Sequence, residues 1–437
     1  MLVDVPNGWR EVFLEDILKP IARRELVRPS ETYRLLGVRL YGNGSFLRET
    51  LLGSELSAQH LFMVKAGDLI YNKLFAWKGT FAIINEDHSG CFVSNEFPTF
   101  RPIYSSVTAN YARRIIQLPR IADRANLVST GTTSISRNRL NPKDFLRFPV
   151  VLPSQAEQLA IDNYLQAVEK TIEQRKSTIL AISNAKKAVM RELLTKGGRR
   201  DQAPMWALKE RWVFGRITEG VKAIPADWEL VRLTSVAKLE SGHTPDRKRP
   251  DYWGGDIHWL SLGDTEALDS LTIGETKEQV NNLGIQNSSA RILPKDTVIF
   301  SRTATVGKAS RLATPMATSQ DFANWICGPE IDPRYLVQVF RHMGREWKRL
   351  QAGSTHQTIY MPTFKRLQIL LPPIKEQQEI ADMGEAFDLR IEAEKRALAE
   401  LQNTRKALSQ ELLSGRLRLP KSMIERFEEK AGQAVSA

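Results

Sequence analysis

Apolar residues recur at alternating steps of three and four positions through two long segments, residues 152–197 and 371–415. This spacing is the heptad pattern of helices that pack against another helix along a narrow apolar seam. Ser154 and Glu157 form a capping box at the start of the first segment, and a pair of glycines ends it. The pattern predicts two long helices, each about 50 Å from the first to the last seam residue.

The predicted seams are mostly aliphatic, with a polar residue near the middle of each. The first seam consists of Ile161, Leu165, Val168, Ile172, Arg175, Ile179, Ile182, Lys186, Val189 and Leu193, and the second of Ile380, Gly384, Phe387, Ile391, Glu394, Leu398, Leu401, Arg405, Leu408 and Leu412. An amphipathic helix of this length needs a partner for its apolar stripe. We therefore predict that the two helices pair with each other. If they run antiparallel about a pseudo-two-fold axis near their midpoints, Arg175 lies close to Glu394. The alternative is that each helix packs only on its own globular domain.

The two segments are copies of each other at a constant offset of 219 positions, as between Leu152 and Leu371. A period this long indicates two structurally similar halves. The matched stretches are Leu152-Pro153 with Leu371-Pro372, Glu157-Gln158 with Glu376-Gln377, Glu192-Leu193-Leu194 with Glu411-Leu412-Leu413, and Pro6-Asn7-Gly8-Trp9 with Pro225-Ala226-Asp227-Trp228.

Two divergent blocks mix strand-like runs, at 68–71, 80–84 and 295–300, with helical stretches. We therefore expect an α+β (mixed α/β) fold with a pseudo-two-fold internal repeat, in which two similar domains are separated by two long antiparallel coiled-coil helices. The predicted organisation is a domain at 1–151, a helix at 152–197, a connector at 198–224, a domain at 225–370, a helix at 371–415 and a tail at 416–437.

The chain of 437 residues carries 62 Lys and Arg against 50 Asp and Glu, a net charge of +12. Such an excess is typical of nucleic-acid-binding proteins, because basic side chains neutralise phosphates and release counterions. The alternative is a basic protein without a polyanionic partner. We expect neither a secretory signal nor a membrane span, and Cys91 and Cys327 stand far apart. We expect a reducing, cytoplasmic location.

Basic residues stand beside aromatic and polar ones in both blocks, a mixture suited to phosphate contacts and to hydrogen bonds with base edges. Near its end, each block also has a loop rich in hydroxyl side chains, at 129–134 and 353–358. Any one of these residues taken alone is more often a solvated surface charge than a DNA contact. The predicted DNA-binding residues are Tyr71, Asn72, Lys73, Lys78, Arg137 and Arg139 in the first block, and Arg247, Lys248, Arg302, Lys308, His356 and Gln357 in the second.

The sequence lacks a cofactor-binding glycine turn, a nucleotide-binding phosphate loop and the motif with which amino-methyltransferases hold a flipped base. Its six histidines show no spacing typical of zinc ligands. We therefore predict no catalytic residue, no cofactor and no metal. An enzyme with a metal site around Asp269, Glu275 and Lys277 is the alternative, although that spacing is permissive.

Each divergent block follows a Pro-x-x-Trp entry and precedes Leu-Pro-x-x-x-Glu-Gln and a long helix ending in Glu-Leu-Leu. This arrangement, from Pro6 to Leu419, resembles the specificity subunit of type I restriction-modification systems. The resemblance implies two target recognition domains, each reading half of a bipartite site on double-stranded DNA. It also implies a non-catalytic chain whose partners are modification (methyltransferase) subunits, expected to number two, and restriction (endonuclease/translocase) subunits. A DNA-binding scaffold or regulator without a methyltransferase is the alternative. Gly384 departs from the repeat, since Leu165 stands there in the first copy, and it leaves room for a bulky neighbour.

A spacer role for the helices predicts that their length sets the gap between the half-sites. Removing one heptad from both helices shortens each by about 10 Å, which is roughly three base pairs. We expect methylation mapping of this variant to show a shorter gap and unchanged half-site sequences. Altered half-site bases would instead mean that the helices take part in base readout.

Overall fold

The computed structural model describes residues 5–129, 139–198, 204–207, 223–351, 357–429 and 431. Two of the predicted DNA-binding residues, Arg137 and His356, lie outside the described residues. Among the described helices, none is both long enough and apolar enough to cross a membrane.

The first block contains eleven described strands and three α-helices before the first long helix. They are β1 (Arg10–Phe13), β2 (Leu18–Ile21), β3 (Arg24–Leu26), β4 (Thr32–Val38), β5 (Ser45–Leu52), β6 (His60–Met63), β7 (Leu69–Tyr71), β8 (Phe81–Ile83), β9 (Phe92–Val93), β10 (Thr99–Pro102), α1 (Ala109–Ile116), α2 (Pro119–Val128), α3 (Pro142–Leu146) and β11 (Pro149–Leu152). The long helix α4 spans Gln155–Lys196.

The rest of the chain repeats this alternation and ends with a second long helix and a short one. Its elements are β12 (Met205–Ala207), β13 (Ala223–Pro225), β14 (Glu229–Arg232), α5 (Leu233–Val236), β15 (Ala237–Ser241), β16 (Trp253–Leu260), β17 (Thr272–Ile273), β18 (Glu278–Val280), α6 (Asn282–Gln286), β19 (Val298–Ser301), β20 (Ala309–Leu312), β21 (Ala317–Thr318), β22 (Phe322–Cys327), α7 (Pro333–His342), α8 (Gly344–Leu350), α9 (Met361–Lys365), β23 (Gln368–Leu371), α10 (Ile374–Ser414) and α11 (Lys421–Glu425). The predicted mixture of strands and helices, including both long helices, is confirmed.

The chain divides into two compact units. Unit 1 comprises Met1–Glu173 and Glu400–Ala437, and unit 2 comprises Gln174–Ala399. Each unit therefore contains one divergent block together with a segment of α4 and a segment of α10. The first residues of the predicted tail pack within unit 1, where Arg418 forms an ion pair with Glu157 at 2.7 Å.

The internal repeat is visible in the sheets of the two units. Unit 1 has a four-stranded sheet in the order β2-β10-β7-β8, and unit 2 has β15-β22-β19-β20 in the same order with β17 added at the edge. The short pair β1 and β11 corresponds to β14 and β23, and the register is the same: Arg10 lies opposite Leu152, and Glu229 lies opposite Leu371. Thus β7 and β19 are equivalent strands, each lined by buried side chains.

The repeated tryptophan and glutamate of the sequence motifs contact each other in both units. Trp9 Nε1 donates to Glu157 Oε2 at 3.2 Å, and Trp228 Nε1 donates to Glu376 Oε2 at 2.9 Å. An indole N–H that is buried needs an acceptor. The pair therefore joins the entry to each block to the start of the long helix that follows it.

The repeated glutamine fastens a second point of each block to the long helix. Gln158 Oε1 accepts a hydrogen bond from the Thr108 backbone N–H at 3.0 Å, and Gln377 Oε1 accepts one from the Asp332 backbone N–H at 2.9 Å. Thr108 and Asp332 are the N-cap residues of α1 and α7. Removal of either buried amide would leave a buried backbone donor without a partner. The repeated glutamine therefore has a structural role in both units, and this role needs no ligand.

Helices α4 and α10 run antiparallel within each unit. In unit 1, Ile161 and Leu165 share one apolar core with Leu412 and Leu413. In unit 2, Met190 and Leu194 share a core with Ile380 and Ala381. Each core also contains side chains of the divergent block in its unit, so each helix packs on the other helix and, at its ends, on the blocks. Of the other predicted seam residues, Ile172, Gly384 and Glu394 are buried, and Val168, Arg175, Ile179, Ile182, Phe387, Ile391, Leu398 and Leu401 are half-buried.

The polar seam residues of α4 and α10 pair with residues of opposite charge. Arg175 Nη1 donates to Glu394 Oε2 at 2.6 Å. Lys186 contacts Asp388 at 2.6 Å, and Arg405, at the equivalent position of α10, contacts Glu169 at 3.4 Å. Burial lowers the pKa of Lys186, and the charge of Asp388 opposes this effect. These pairs fix the register of the two helices, because a one-residue slip would separate every pair.

Reversing the charge of Arg175 should destabilise unit 2 by about 1–2 kcal/mol, since Arg175→Glu replaces a charge-assisted hydrogen bond with two facing carboxylates. Adding Glu394→Arg should recover most of this loss. Urea unfolding followed by hydrogen exchange in residues 174–196 would measure both. Lys187→Glu makes the same charge change at an exposed position of α4 and should have little effect. Absence of recovery in the double variant would contradict the pairing.

The bulky neighbour expected at Gly384 is Gln338 of α7. A Cβ atom on Gly384 would lie 2.5 Å from Gln338 Cδ. The Gln338 side chain is buried, and its Nε2 donates to Asp388 at 3.0 Å. The gap in the seam is therefore filled by the block, and a larger residue has no room there.

Gly384→Leu should destabilise unit 2 by about 1–3 kcal/mol through overpacking. Gln338→Ala in the same chain should recover part of that loss, since it empties the volume that the new side chain needs. Thermal unfolding of the single and double variants would measure both effects. A Cβ atom on Gly344 of α8 would have no neighbouring atom within 4 Å, so Gly344→Leu is the matched control. An equally large loss in the double variant would show that Gln338 is not the obstacle.

Candidate nucleic-acid interface

The end of β7 in unit 1 meets two other parts of the chain. Lys73 N donates to Glu96 O at 3.0 Å, and Leu140 N donates to Lys73 O at 3.0 Å. Arg139 directly precedes Leu140 and is brought to the same place. We call the side chains gathered here, those of Lys73, Asn95, Glu96 and Arg139, site 1.

The end of β19 in unit 2 has the same connections. Arg302 N donates to Asp321 O at 3.0 Å, and Ile359 N donates to Arg302 O at 2.9 Å. Arg302 therefore occupies the position of Lys73, and Asp321 occupies that of Glu96. We call the group of Arg302, Gln320, Asp321 and Gln357 site 2.

The basic residue of each site holds the loop that faces it. Lys73 Nζ donates to the backbone oxygen of Asn95 at 2.6 Å, and Arg302 Nε donates to that of Gln320 at 2.8 Å. Arg302 Nη1 also donates to Ile359 O at 3.3 Å, and burial lowers the pKa of Arg302. Both residues were predicted to contact DNA. In the structure, both side chains donate hydrogen bonds to backbone carbonyl oxygens of their own unit.

The remaining predicted residues of the two sites have different surroundings. Arg139 is exposed and forms an ion pair with Glu96. Asn72 Oδ1 accepts from Leu74 N at 2.9 Å, which shapes the turn after β7. Gln357 is exposed, and its backbone oxygen accepts from Ala304 N at 3.3 Å.

Tyr71 is a core residue, and its prediction as a DNA contact is withdrawn. Its side chain is fully buried and packs against Phe81, Phe100 and Phe145. Its hydroxyl donates to Leu140 O at 3.3 Å, and burial raises its pKa. The sequence placed Tyr71 beside two polar residues, but it lies on a strand whose three residues are all buried.

Lys78 lines a cavity of about 650 Å³ in unit 1, and none of the site 1 residues lines that cavity. Its Nζ is 4.8 Å from the centre of the neighbouring Trp77 ring. Arg405 and Lys406 of α10 also line this cavity, as does Glu169. The cavity thus presents basic groups to an anionic ligand, while the charge of Glu169 partly neutralises them.

Three further predicted residues lie in unit 2. The Arg247 guanidinium stacks 3.9 Å from the Trp253 ring centre and forms an ion pair with Glu278, and a hydrogen bond from Arg247 is the main cause of the lowered pKa of that carboxyl. Lys248 is exposed, and its side chain forms no ion pair with a described residue. Lys308 Nζ lies 2.7 Å from Asp269 Oδ2.

Two residues of the alternative metal site, Asp269 and Lys277, form contacts with other residues of unit 2. Asp269 is bound by Lys308, and Lys277 Nζ donates to the backbone oxygen of Gly263. Within the ranges that the structure describes, no cluster of three or more His, Cys, Asp or Glu side chains is arranged to bind a metal ion.

Asn95 and Gln320 were missed by the sequence reasoning. A signal for them exists: Ser94-Asn95-Glu96-Phe97 and Ser319-Gln320-Asp321-Phe322 are conservative copies of one another. Their offset of 225 positions, as between Asn95 and Gln320, differs from the 219 of the helices, so a search at the fixed offset does not align them.

Residues 225–403 match the family model described as the type I restriction modification DNA specificity domain. The chain is 29% identical over 194 residues to the type I restriction enzyme MjaIX specificity subunit of Methanocaldococcus jannaschii, an alignment that covers 44% of this chain and 45% of that protein. It is 20% identical over 418 residues to the HindI specificity subunit of Haemophilus influenzae, covering 84% of this chain and 90% of that protein.

The fold also has a solved counterpart. A chain in a structure of a type I R-M system, studied for its complex assembly and conformational transition, superposes with a TM-score of 0.62 at 16% identity, covering 95% of this chain and 100% of that chain. At this identity the superposition establishes the fold. The chain is therefore similar to the specificity subunits of type I restriction enzymes, and its residues 225–403 match the model of the DNA specificity domain.

Proposed function

We propose that the chain is the sequence-specific DNA-binding subunit of a type I restriction-modification complex, in which each unit recognises one half of a bipartite target on double-stranded DNA. The observation that carries this proposal is the duplicated loop site. Sites 1 and 2 have the same backbone connections but different side chains: Lys against Arg, Asn against Gln, and Glu against Asp. A scaffold that presents similar polar side chains at the same position of both units suits the recognition of one short DNA sequence by each unit.

The charge of the chain supports a nucleic-acid ligand. Its net charge of +12 provides attraction to phosphates that does not depend on base sequence. Exposed Lys248 and Arg139 are suited to phosphate contacts, whereas Lys73 and Arg302 organise the loops. Positioning and base readout are thus assigned to different side chains.

Modification and restriction subunits are the proposed partners, and the catalytic steps are proposed to belong to them. The similarity to specificity subunits of type I restriction enzymes supports these partners.

Methylation mapping tests this proposal. The chain would be produced with its modification subunits in a host that lacks the system, and methylated positions would be mapped on the host genome. We expect methylation within a two-part motif that contains an undefined gap, and its loss when this chain alone is omitted. Methylation that persists without the chain would contradict the proposal. DNA binding by the chain with no methylation in its presence would favour a scaffold or regulator instead.

A further inference from the structure

Asn95 and Gln320 occupy the same structural position in the two units. Each follows a serine in the loop beside the end of β7 or β19, and each precedes an acidic residue. The backbone oxygen of each is held by the basic residue of its site, Lys73 or Arg302. The internal repeat has therefore retained a carboxamide here, although the surrounding blocks have diverged.

Both carboxamides are exposed, and both keep hydrogen-bonding capacity. The Asn95 side chain forms no hydrogen bond with any described residue. Gln320 Oε1 accepts one bond, from Thr244 Oγ1 at 2.7 Å, and its Nε2 donates none to the described residues. Thr244 thus orients the Gln320 amide without occupying its donor.

The acidic neighbours, in contrast, already have partners. Glu96 is paired with Arg139, and Asp321 Oδ2 accepts from Ser319 Oγ at 2.9 Å. Within residues 94–97 and 319–322, the exposed side chains are those of Asn95 and Gln320. Their carboxamides are therefore available for an external ligand. Their backbones are fixed, which reduces the entropy lost when the side chain binds.

A carboxamide offers a donor and an acceptor side by side. In the major groove, adenine presents the complementary pair, its N7 acceptor and its N6 amino donor, and Asn and Gln bind this edge with two hydrogen bonds. No other base presents both groups to one amide in this way.

We propose that Asn95 and Gln320 are specificity-determining residues, each reading an adenine in the major groove of its own half-site. Lys73 and Arg302 act as positioning residues that hold the two reading loops. This inference rests on the proposed function, since it names the side chains through which each unit recognises its half of the target.

The test uses the full chain assembled with its modification subunits and compares the methylation motifs of single variants. Asn95→Ala should reduce discrimination at one A·T position of one half-site about 10- to 100-fold, with the other half-site unchanged. Gln320→Ala should have the reciprocal effect. Asn95→Asp, which can only accept hydrogen bonds, should disfavour adenine and tolerate cytosine at the same position.

Gln59→Ala in unit 1 and Gln286→Ala in unit 2 remove exposed carboxamides elsewhere and should leave both half-sites unchanged. The inference is overturned if Asn95→Ala and Gln320→Ala leave both half-site motifs as in the parent chain, or if each weakens both half-sites equally. A parent chain that directs no two-part motif would instead overturn the proposed function, so the two failures are distinguishable.

Discussion

Replacing Arg114 with alanine should lower the free energy of unfolding of unit 1 by about 3–5 kcal/mol. Arg114 lies on α1, is 6% exposed, and joins the first block to α4. Its Nε is 2.7 Å from Asp162 Oδ1, and its Nη1 is 2.9 Å from Glu169 Oε1. The variant leaves two sheltered carboxylates with too little compensating charge, which is the costly way to break a buried ion pair.

The loss of unfolding free energy in Arg114→Ala should be smaller at acidic pH than at neutral pH. Burial alone would raise the pKa of Glu169, but hydrogen bonding to Arg114 and the charges of Arg114, Arg113 and Arg405 lower it below its ordinary value of 4.5. A lowered carboxyl pKa contributes stability that is present above the ordinary value and is lost as the pH falls through the folded-state value. The difference between the parent chain and Arg114→Ala should therefore be full at pH 7 and shrink below pH 4.5.

Arg113→Ala is the matched control. Arg113 precedes Arg114 on the same helix, is 38% exposed, and lies 4.0 Å from Glu169, so its removal should cost less than about 1 kcal/mol. Hydrogen exchange in α1 and in residues 155–173, measured across a urea series, isolates unit 1 from unit 2. Equal losses in the two variants would refute the assignment of the stabilisation to Arg114.

Replacing Asp68 with alanine should have a comparable effect, about 3–5 kcal/mol on unit 1. Asp68 is fully buried and stands immediately before β7. It binds Arg23 and Arg101, with Oδ1 2.6 Å from Arg101 Nη2, and its Oδ2 accepts from Lys65 N at 2.8 Å. The variant would leave two partly buried guanidinium groups and a backbone donor without their acceptor.

Asp68 also supports the strand that ends at site 1, so Asp68→Ala should weaken recognition by unit 1 and spare unit 2. Asp68→Asn keeps an acceptor but removes the charge, and it should lie between the parent and Asp68→Ala. Asp87→Ala, an exposed carboxylate in the same unit, should change stability by no more than about 0.5 kcal/mol. Urea midpoints of the three variants provide the measurement, and a loss of under about 1 kcal/mol for Asp68→Ala would show that the arginines find other partners.

The sequence predicted those features that depend on periodicity and repetition. The helical seams follow from heptad spacing, because side chains three and four positions apart share one face of a helix. The repeat placed Arg175 and Glu394 at equivalent seam positions, and an antiparallel pair brings these two positions together. The strands at β7, β8 and β19 were likewise visible as short apolar runs. The constant offset of 219 positions between matched residues predicted that the chain has two similar halves.

The predicted DNA-binding residues depended on partners that are distant in the chain, and only the tertiary structure identified those partners. Tyr71 is buried because α3 and β10 cover it, and Lys73 and Arg302 are engaged because loops more than 15 residues away place carbonyl oxygens beside them. The repeated stretches around Asn95 and Gln320 are visible in the sequence, but the exposure of these two side chains is not. Exposure and hydrogen-bond partners are set by long-range packing, whereas the apolar stripes of α4 and α10 are set by local periodicity. The sequence therefore determined which helix faces are buried, and the fold decided which polar groups remain available.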